Sequence, residues 1–230
     1  MANFNTHITV AAAGAGLLSV LCLQVGLANP TDALTLALMG TMGGILPDID
    51  LQHAYPSRIM FSLFGIIAGF LMVFSAENHL SIVELWGVGL VTFAIIRFPV
   101  WVIFHEYTSH RGSIHSVVAG LLFMFLTAAF SHRVMGKDPF MAWLMGLFVF
   151  LGFILHLGLD ELYSVDFMNS RLKKSFGTAL KILDWNSREK STALVCAAII
   201  AWAVAPESQS FWDTLFSPET YRIIGSRFMP

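Results

Sequence analysis

The sequence predicts an all-α, polytopic membrane protein: a transmembrane helical bundle of six or seven spans with interfacial helices. Three observations carry that reading. Of 230 residues, 56% are hydrophobic and only 12% are charged, where a soluble domain carries about 25% charged residues. The apolar residues fall in runs at Ile8–Leu27, Ala33–Leu46, Ile59–Ser75, Leu80–Ile96, Ser116–Phe130, Pro139–Leu159 and Thr192–Ala205, and a spanning helix needs roughly 20 such residues. The runs are apolar all round instead of alternating with polar residues, which selects helices over barrel strands. The second and last runs are short, so six and seven spans both stand.

The same arithmetic excludes other classes. A net charge of −2 offers no basic footprint, so no nucleic acid is expected as a partner. Apolar bulk on this scale excludes disorder. Cys22 and Cys196 both lie in apolar runs, and no bridge between them is expected.

Breakers set the limits of each element. The leader Met1–Thr6 has no Lys or Arg, which a cleaved signal needs, so the first span is read as retained. Asn29-Pro30-Thr31-Asp32 is a turn and helix start, and Pro47 ends the second span. Pro56 precedes the third, and Pro139 occupies the first turn of the sixth, where proline is tolerated. Pro99 follows Arg97 inside an apolar stretch. Either the fourth span kinks there, or it ends near Arg97 and a short interfacial helix continues through Trp101 to His105; the second is preferred. Gly14, Gly16, Gly40, Gly43 and Gly44 are expected where helices approach closely. The chain is read as a membrane-embedded domain over residues 1–190, then a last span and interfacial tail over 191–230, with Phe211, Trp212 and Tyr221 at the interface.

The Lys/Arg bias places the N-terminus inside. The inner segments then hold Arg58, Arg97, Arg111, Arg171, Lys173, Lys174, Lys181, Arg188 and Lys190, and the outer ones Arg133, Lys137, Arg222 and Arg227. Much of that bias lies in Arg171–Lys190. The segment is expected to form one or two basic amphipathic surface helices against anionic headgroups. Under this topology His7, His53, His105, His110, His115 and His156 fall inside, with Asp48, Asp50 and Asp160; only His79 and His132 lie outside. Four segments far apart in sequence so deliver His and Asp to one face.

The spacing of those residues suggests chemistry. His156 and Asp160 stand at i and i+4 on one helix face, the spacing of two ligands of one metal or of a ligand and the carboxylate that orients it. A capping His beside a loop Asp is the plain alternative. However, an ionisable side chain in an apolar helix is costly and usually functional. In Leu46-Pro47-Asp48-Ile49-Asp50, two carboxylates one residue apart can face a cation, or can serve as turn residues. His53 is either a further ligand or interfacial, and His105, beside Glu106 and Tyr107, reads as interfacial. In His110-Arg111-Gly112-Ser113-Ile114-His115-Ser116, Ser113 is expected to cap the fifth span. His115 would then lie in a first turn whose free N–H groups attract anions, and Arg111 would add a planar cation for a phosphate or carboxylate. An ordinary basic loop before a capped helix explains the same residues. His7 alone is an interfacial histidine. Arg97 is either a phosphate clamp or a snorkelling side chain.

Taken in order, Thr6-His7, Leu46-Pro47-Asp48-Ile49-Asp50, His110-Arg111-Gly112 with His115-Ser116, and His156 with Asp160-Glu161 resemble the LexA-regulated, membrane-bound metal-dependent hydrolase family (YdjM-like). The resemblance covers residues 6–190, and Ile114 stands where that family often has Thr. It implies a small multi-pass protein of the bacterial inner membrane with metal-dependent hydrolytic activity. The expected ligands are His7, Asp48, Asp50, His110, His115, His156 and Asp160. Seven candidates suit two divalent ions better than one, and zinc or manganese fits the donor set. Asp50 or Glu161 would act as base and Arg111 would hold the anion. The substrate would be amphiphilic, such as a phospholipid or lipid-linked phosphate. A divalent-cation or proton transporter is the alternative, and it predicts polar groups near the bilayer midplane. A non-catalytic scaffold predicts no bound metal.

Overall fold

The computed structural model describes residues 3–50, 55–76, 80–107, 112–166, 171–172, 180–185 and 187–227. Each of the seven apolar runs folds as a helix: α1 Phe4–Gln24, α2 Pro30–Gly43, α3 Tyr55–Ala76, α4 Ile82–Ile95, α6 Val117–Arg133, α7 Pro139–Leu162 and α8 Arg188–Val204. Shorter helices are α5 Trp101–Tyr107, α9 Gln209–Leu215 and α10 Pro218–Arg227. Among the described residues the strand content is one two-residue antiparallel ladder, Val165–Asp166 with Arg171–Leu172.

Four helical stretches are long and apolar enough to cross a bilayer: Phe4–Gln24, Ser57–Ala76, Ile82–Glu106 and Pro139–Leu162. A fifth arises if α8 and α9, bent by 94° at their junction, count as one span. The runs expected as spans two and five give helices of 14 and 17 residues. At 1.5 Å per residue these reach about 21 and 26 Å, short of a hydrocarbon core of roughly 30 Å. The helix starts follow the breakers. Asn29 Oδ1 accepts the Asp32 N–H (2.9 Å) with Pro30 in the first turn, and Asp138 Oδ1 accepts the Met141 N–H (3.0 Å) with Pro139 following.

One expectation is corrected. The fourth span does not stop near Arg97: α4 passes through a π-helical turn, Ile96–Val100, directly into α5. Pro99 lacks an N–H and its ring crowds the preceding turn, and widening the helix locally accommodates it. Of the surface helices expected over Arg171–Lys190, residues 173–179 and 186 lie outside the described ones, and Arg188–Lys190 open α8. Arg171–Leu172 pair as a strand, and Lys181 bridges to Ser116 as extended chain.

The described residues divide into two compact units. The first comprises Met1–Pro47 and Arg111–Pro230. Here α1 and α2, and α6 and α7, are antiparallel neighbours joined by short connections; α2 also packs on α7, and α8 on α6. Glycine sets the distance between α2 and α7. A Cβ on Gly152 would overlap the Gly40 carbonyl, one on Gly43 would overlap the Val149 carbonyl, and one on Gly44 would overlap Ala11. Gly14 and Gly40 are also close-approach positions, whereas Gly16 faces open space. The core between the helices holds Leu36, Met124, Trp143, Met145, Phe148 and Phe211. At the end of this unit away from α7's C-terminus, Lys137 Nζ donates to Asp32 Oδ1 (2.6 Å) and Trp143 Nε1 donates to the Pro206 carbonyl (2.9 Å).

The second unit is Asp48–His110. In it α3 and α4 meet where Gly65 faces Phe93 and Gly69 faces the Gly89 carbonyl. His105 is buried. The Trp101 indole N–H donates to Ser57 Oγ (3.0 Å), Ser57 Oγ lies 3.1 Å from His105 Nε2, and His105 Nδ1 lies 2.7 Å from the Trp101 carbonyl. All partners are satisfied when the serine hydroxyl donates to Nε2 and the ring carries its proton on Nδ1.

Gly43→Ala or Gly152→Ala should lower stability by about 1–3 kcal/mol, because the added methyl forces packed backbones apart. Gly16→Ala, which meets nothing, should be neutral or slightly stabilising. Denaturant titration in detergent, followed by circular dichroism, measures both.

Candidate metal centre

Four helix ends of the first unit come together. His7 lies in the first turn of α1, His115 lies one residue before the α6 N-cap, His156 and Asp160 lie in the last two turns of α7, and Gly44 closes α2. The histidines and Asp160 are all buried, with 3% or less of their surface exposed. His7 Nε2 lies 3.2 Å from Asp160 Oδ1, and His156 Nε2 lies 3.9 Å from Asp160 Oδ2. The rings of His7 and His156 stack at 3.7 Å with 11° between planes, and His115 meets His156 edge to face at 5.9 Å. The ligand atoms of His7, His156 and Asp160 all lie within 4.8 Å of one another.

The hydrogen bonds give this cluster its polarity. His156 Nδ1 lies 2.7 Å from the Gly44 carbonyl, an acceptor only, so Nδ1 carries the proton. In the neutral ring Nε2 then presents a lone pair on the side of Asp160. A carbonyl behind a ligating imidazole is the usual means of fixing its tautomer and raising its basicity. Asp160 buries both carboxylate oxygens with no hydrogen bond to either among the described residues, and His7 Nδ1 is likewise buried without one. Buried carboxylate oxygens are costly unless hydrogen-bonded, paired or bound to a cation. Oxygen and imidazole nitrogen lone pairs converging on one small volume form a donor set that fits a divalent ion.

The start of α6 differs from expectation. Ser116, not Ser113, is the N-cap: its hydroxyl accepts the Ala119 N–H (3.3 Å). His115 therefore precedes the helix and does not lie in its first turn. The Val117 and Val118 N–H groups donate to the Lys181 and Ile182 carbonyls, at 2.9 and 3.4 Å. The first-turn donors expected to attract an anion are thus engaged by chain 64 residues further on, a pairing no local pattern announces. Glu161, one residue past Asp160, accepts the Leu180 N–H at 3.4 Å and so joins the same strap of chain to α7. Asp48 is buried in a 3-10 turn, Leu46–Asp50, and begins the second unit. The Asp50 side chain, His53, His79, His110 and Arg111 lie outside the described residues. Arg97 lies over the Phe98 and Trp101 rings, in the second unit.

A family model, YdjM inner membrane protein, matches residues 1–209. The chain belongs to the YdjM inner membrane protein family. The match extends past residue 190, where the resemblance in the sequence stops, and takes in all of α8. No curated protein and no solved structure matches the chain. As a YdjM family member with several long apolar helices, the protein is an inner-membrane protein. Its buried His/Asp group has the composition and spacing to hold a metal ion.

Histidine-selective ¹⁵N NMR should report His156 as the Nδ1–H tautomer near neutral pH, with Nε2 unprotonated. A protonated Nε2 would contradict the bond to Gly44.

Proposed function

We propose that this YdjM family protein is a metal-dependent hydrolase whose site lies at the cytoplasmic face of the inner membrane. One observation carries the reading: His7, His156 and Asp160 converge within 4.8 Å at the buried end of an apolar bundle, with the His156 tautomer set by the Gly44 carbonyl. In this reading these three residues and His115 hold the first ion. Asp48, four residues beyond Gly44, with Asp50 and His110, completes the set for a second. Zinc or manganese suits these nitrogen and oxygen donors. Such an ion supplies a water of lowered pKa and a Lewis acid for the bond under attack.

The protein's own groups have the remaining tasks. Asp50 or Glu161 accepts the proton of the attacking water, and Arg111 holds the anionic group of the substrate. The Lys/Arg bias supports a cytoplasmic N-terminus, and in that orientation α2 and α6 serve as the shorter members of a bundle of six or seven spans. A site at helix ends, level with lipid headgroups, suits an amphiphilic phosphoester, and the basic residues around Arg171–Lys190 suit an anionic surface. The same position argues against a transport role, which would set polar groups near the midplane.

Protein purified without chelator should carry one or two divalent ions per chain by elemental analysis. His7→Ala, His156→Ala and Asp160→Asn should each weaken metal retention by about 10-fold to 100-fold or more, and His156→Ala should abolish metal-restored hydrolysis of a fluorogenic lipid phosphoester in mixed micelles. Wild-type protein holding under about 0.2 ion per chain after loading would sink the proposal, since such sites retain metal tightly.

A further inference from the structure

The helix that begins at Ile82 runs on to Tyr107 and buries none of its most apolar stretch within the protein. A stretch this apolar suits contact with acyl chains. Arg97 lies on it, fifteen residues past Ile82, about 22 Å along the axis. Among the described residues no carboxylate lies within ion-pair distance of its guanidinium and no acceptor takes its protons. Its neighbours are two rings: Cζ lies 5.2 Å from the Phe98 centroid and 5.9 Å from that of Trp101. A guanidinium is stabilised over aromatic faces, but stacking leaves its in-plane donors unused. In a bilayer that is costly, and such a group seeks an anion or the interface.

The aromatic platform is held in place. The Trp101 indole is fixed by its N–H to Ser57 Oγ, and Ser57 is fixed by His105, whose other nitrogen meets the Trp101 carbonyl. Ser57 is fully buried and His105 nearly so. This closed ring of hydrogen bonds orients the indole, and the π-helical turn Ile96–Val100, which contains Arg97, runs directly into Trp101. A long cation is thereby kept beside a fixed aromatic ring.

We propose that Arg97, backed by Phe98 and Trp101, is a binding site for the phosphate of an anionic glycerophospholipid in the surrounding bilayer. A guanidinium donates two parallel hydrogen bonds to phosphate oxygens, which an ammonium cannot reproduce. The rings behind it take up the upper acyl chain. Ser57 is a positioning residue: it touches no lipid and acts through the indole. All of its residues belong to the second unit, whereas His7, His115, His156 and Asp160 belong to the first.

The test uses full-length protein in vesicles of phosphatidylcholine and phosphatidylglycerol at 3:1, with spin-labelled analogues of each lipid reporting association by electron spin resonance. Wild type should prefer phosphatidylglycerol by about fivefold, the scale of one basic residue at an anionic surface. Arg97→Gln should bring that preference close to one, and Arg97→Lys should retain only part of it. Ser57→Ala should weaken the preference while Arg97 keeps its charge, a change that loss of charge alone does not explain. Circular dichroism confirms that Arg97→Gln folds. An unchanged preference in Arg97→Gln would overturn the proposal, as would a wild type with no preference. Displacement of the labelled lipid by inorganic phosphate at constant ionic strength would reassign the site to a soluble anion and overturn the lipid assignment.

Discussion

A carboxylate buried at the end of an apolar helix is the constraint around which the first unit is organised. Asp160 has no exposed surface, and the hydrophobic effect that drives the rest of α7 into the bundle works against it. Three segments compensate. The start of α1 supplies His7, the preceding turn of α7 supplies His156, and the residue before the α6 cap supplies His115. None of these imidazoles would find a polar environment alone at a buried helix end. Together they form a buried pocket of nitrogen and oxygen donors.

That pocket depends on how closely α2 approaches α7. The Gly44 carbonyl reaches His156 because Gly40, Gly43 and Gly152 remove the side chains that would hold the two backbones apart. Gly40 lies beside Phe148, and Gly44 beside Gly152, so the two helices run in the same direction and end at the same level. The glycines are therefore packing residues and determinants of an imidazole's tautomer at once. A larger residue at Gly152 would act on the site without touching it, by withdrawing the acceptor that fixes the His156 proton.

The helices were legible because their signal is local. Apolar runs, Pro30 and Pro139 in first turns and the Asn29 and Asp138 caps specify where each begins. The His156/Asp160 pair was legible for the same reason: i and i+4 share a helix face whatever the rest of the chain does. Glycine's packing role was readable as a class, but Gly16 shows that the sequence does not say which glycine meets a neighbour. What could not be read is non-local. Nothing beside His105 in the sequence announces its partners, which are Ser57, 48 residues away, and a carbonyl one turn back. The second run, Ala33–Leu46, reads as short for a span and folds as a 14-residue helix, and the Ser116–Phe130 run gives one of 17.

The engagement of the α6 N-terminus changes the chemistry that can be asked of the site. A free first turn offers backbone N–H groups and a favourable dipole to an anionic substrate. Here those donors are committed to the Lys181 and Ile182 carbonyls and to the Ser116 hydroxyl. In the proposed reaction, recognition of a phosphate therefore falls to side-chain cations, which is the part assigned to Arg111. Such recognition weakens with salt and depends on one or two residues, whereas a backbone nest would be indifferent to side-chain substitution. The strap of chain that blocks the helix end has a role in return. By pairing with Ser116 beside His115, and by bonding Leu180 to Glu161 beside Asp160, it ties the two helix ends that carry candidate ligands to one segment.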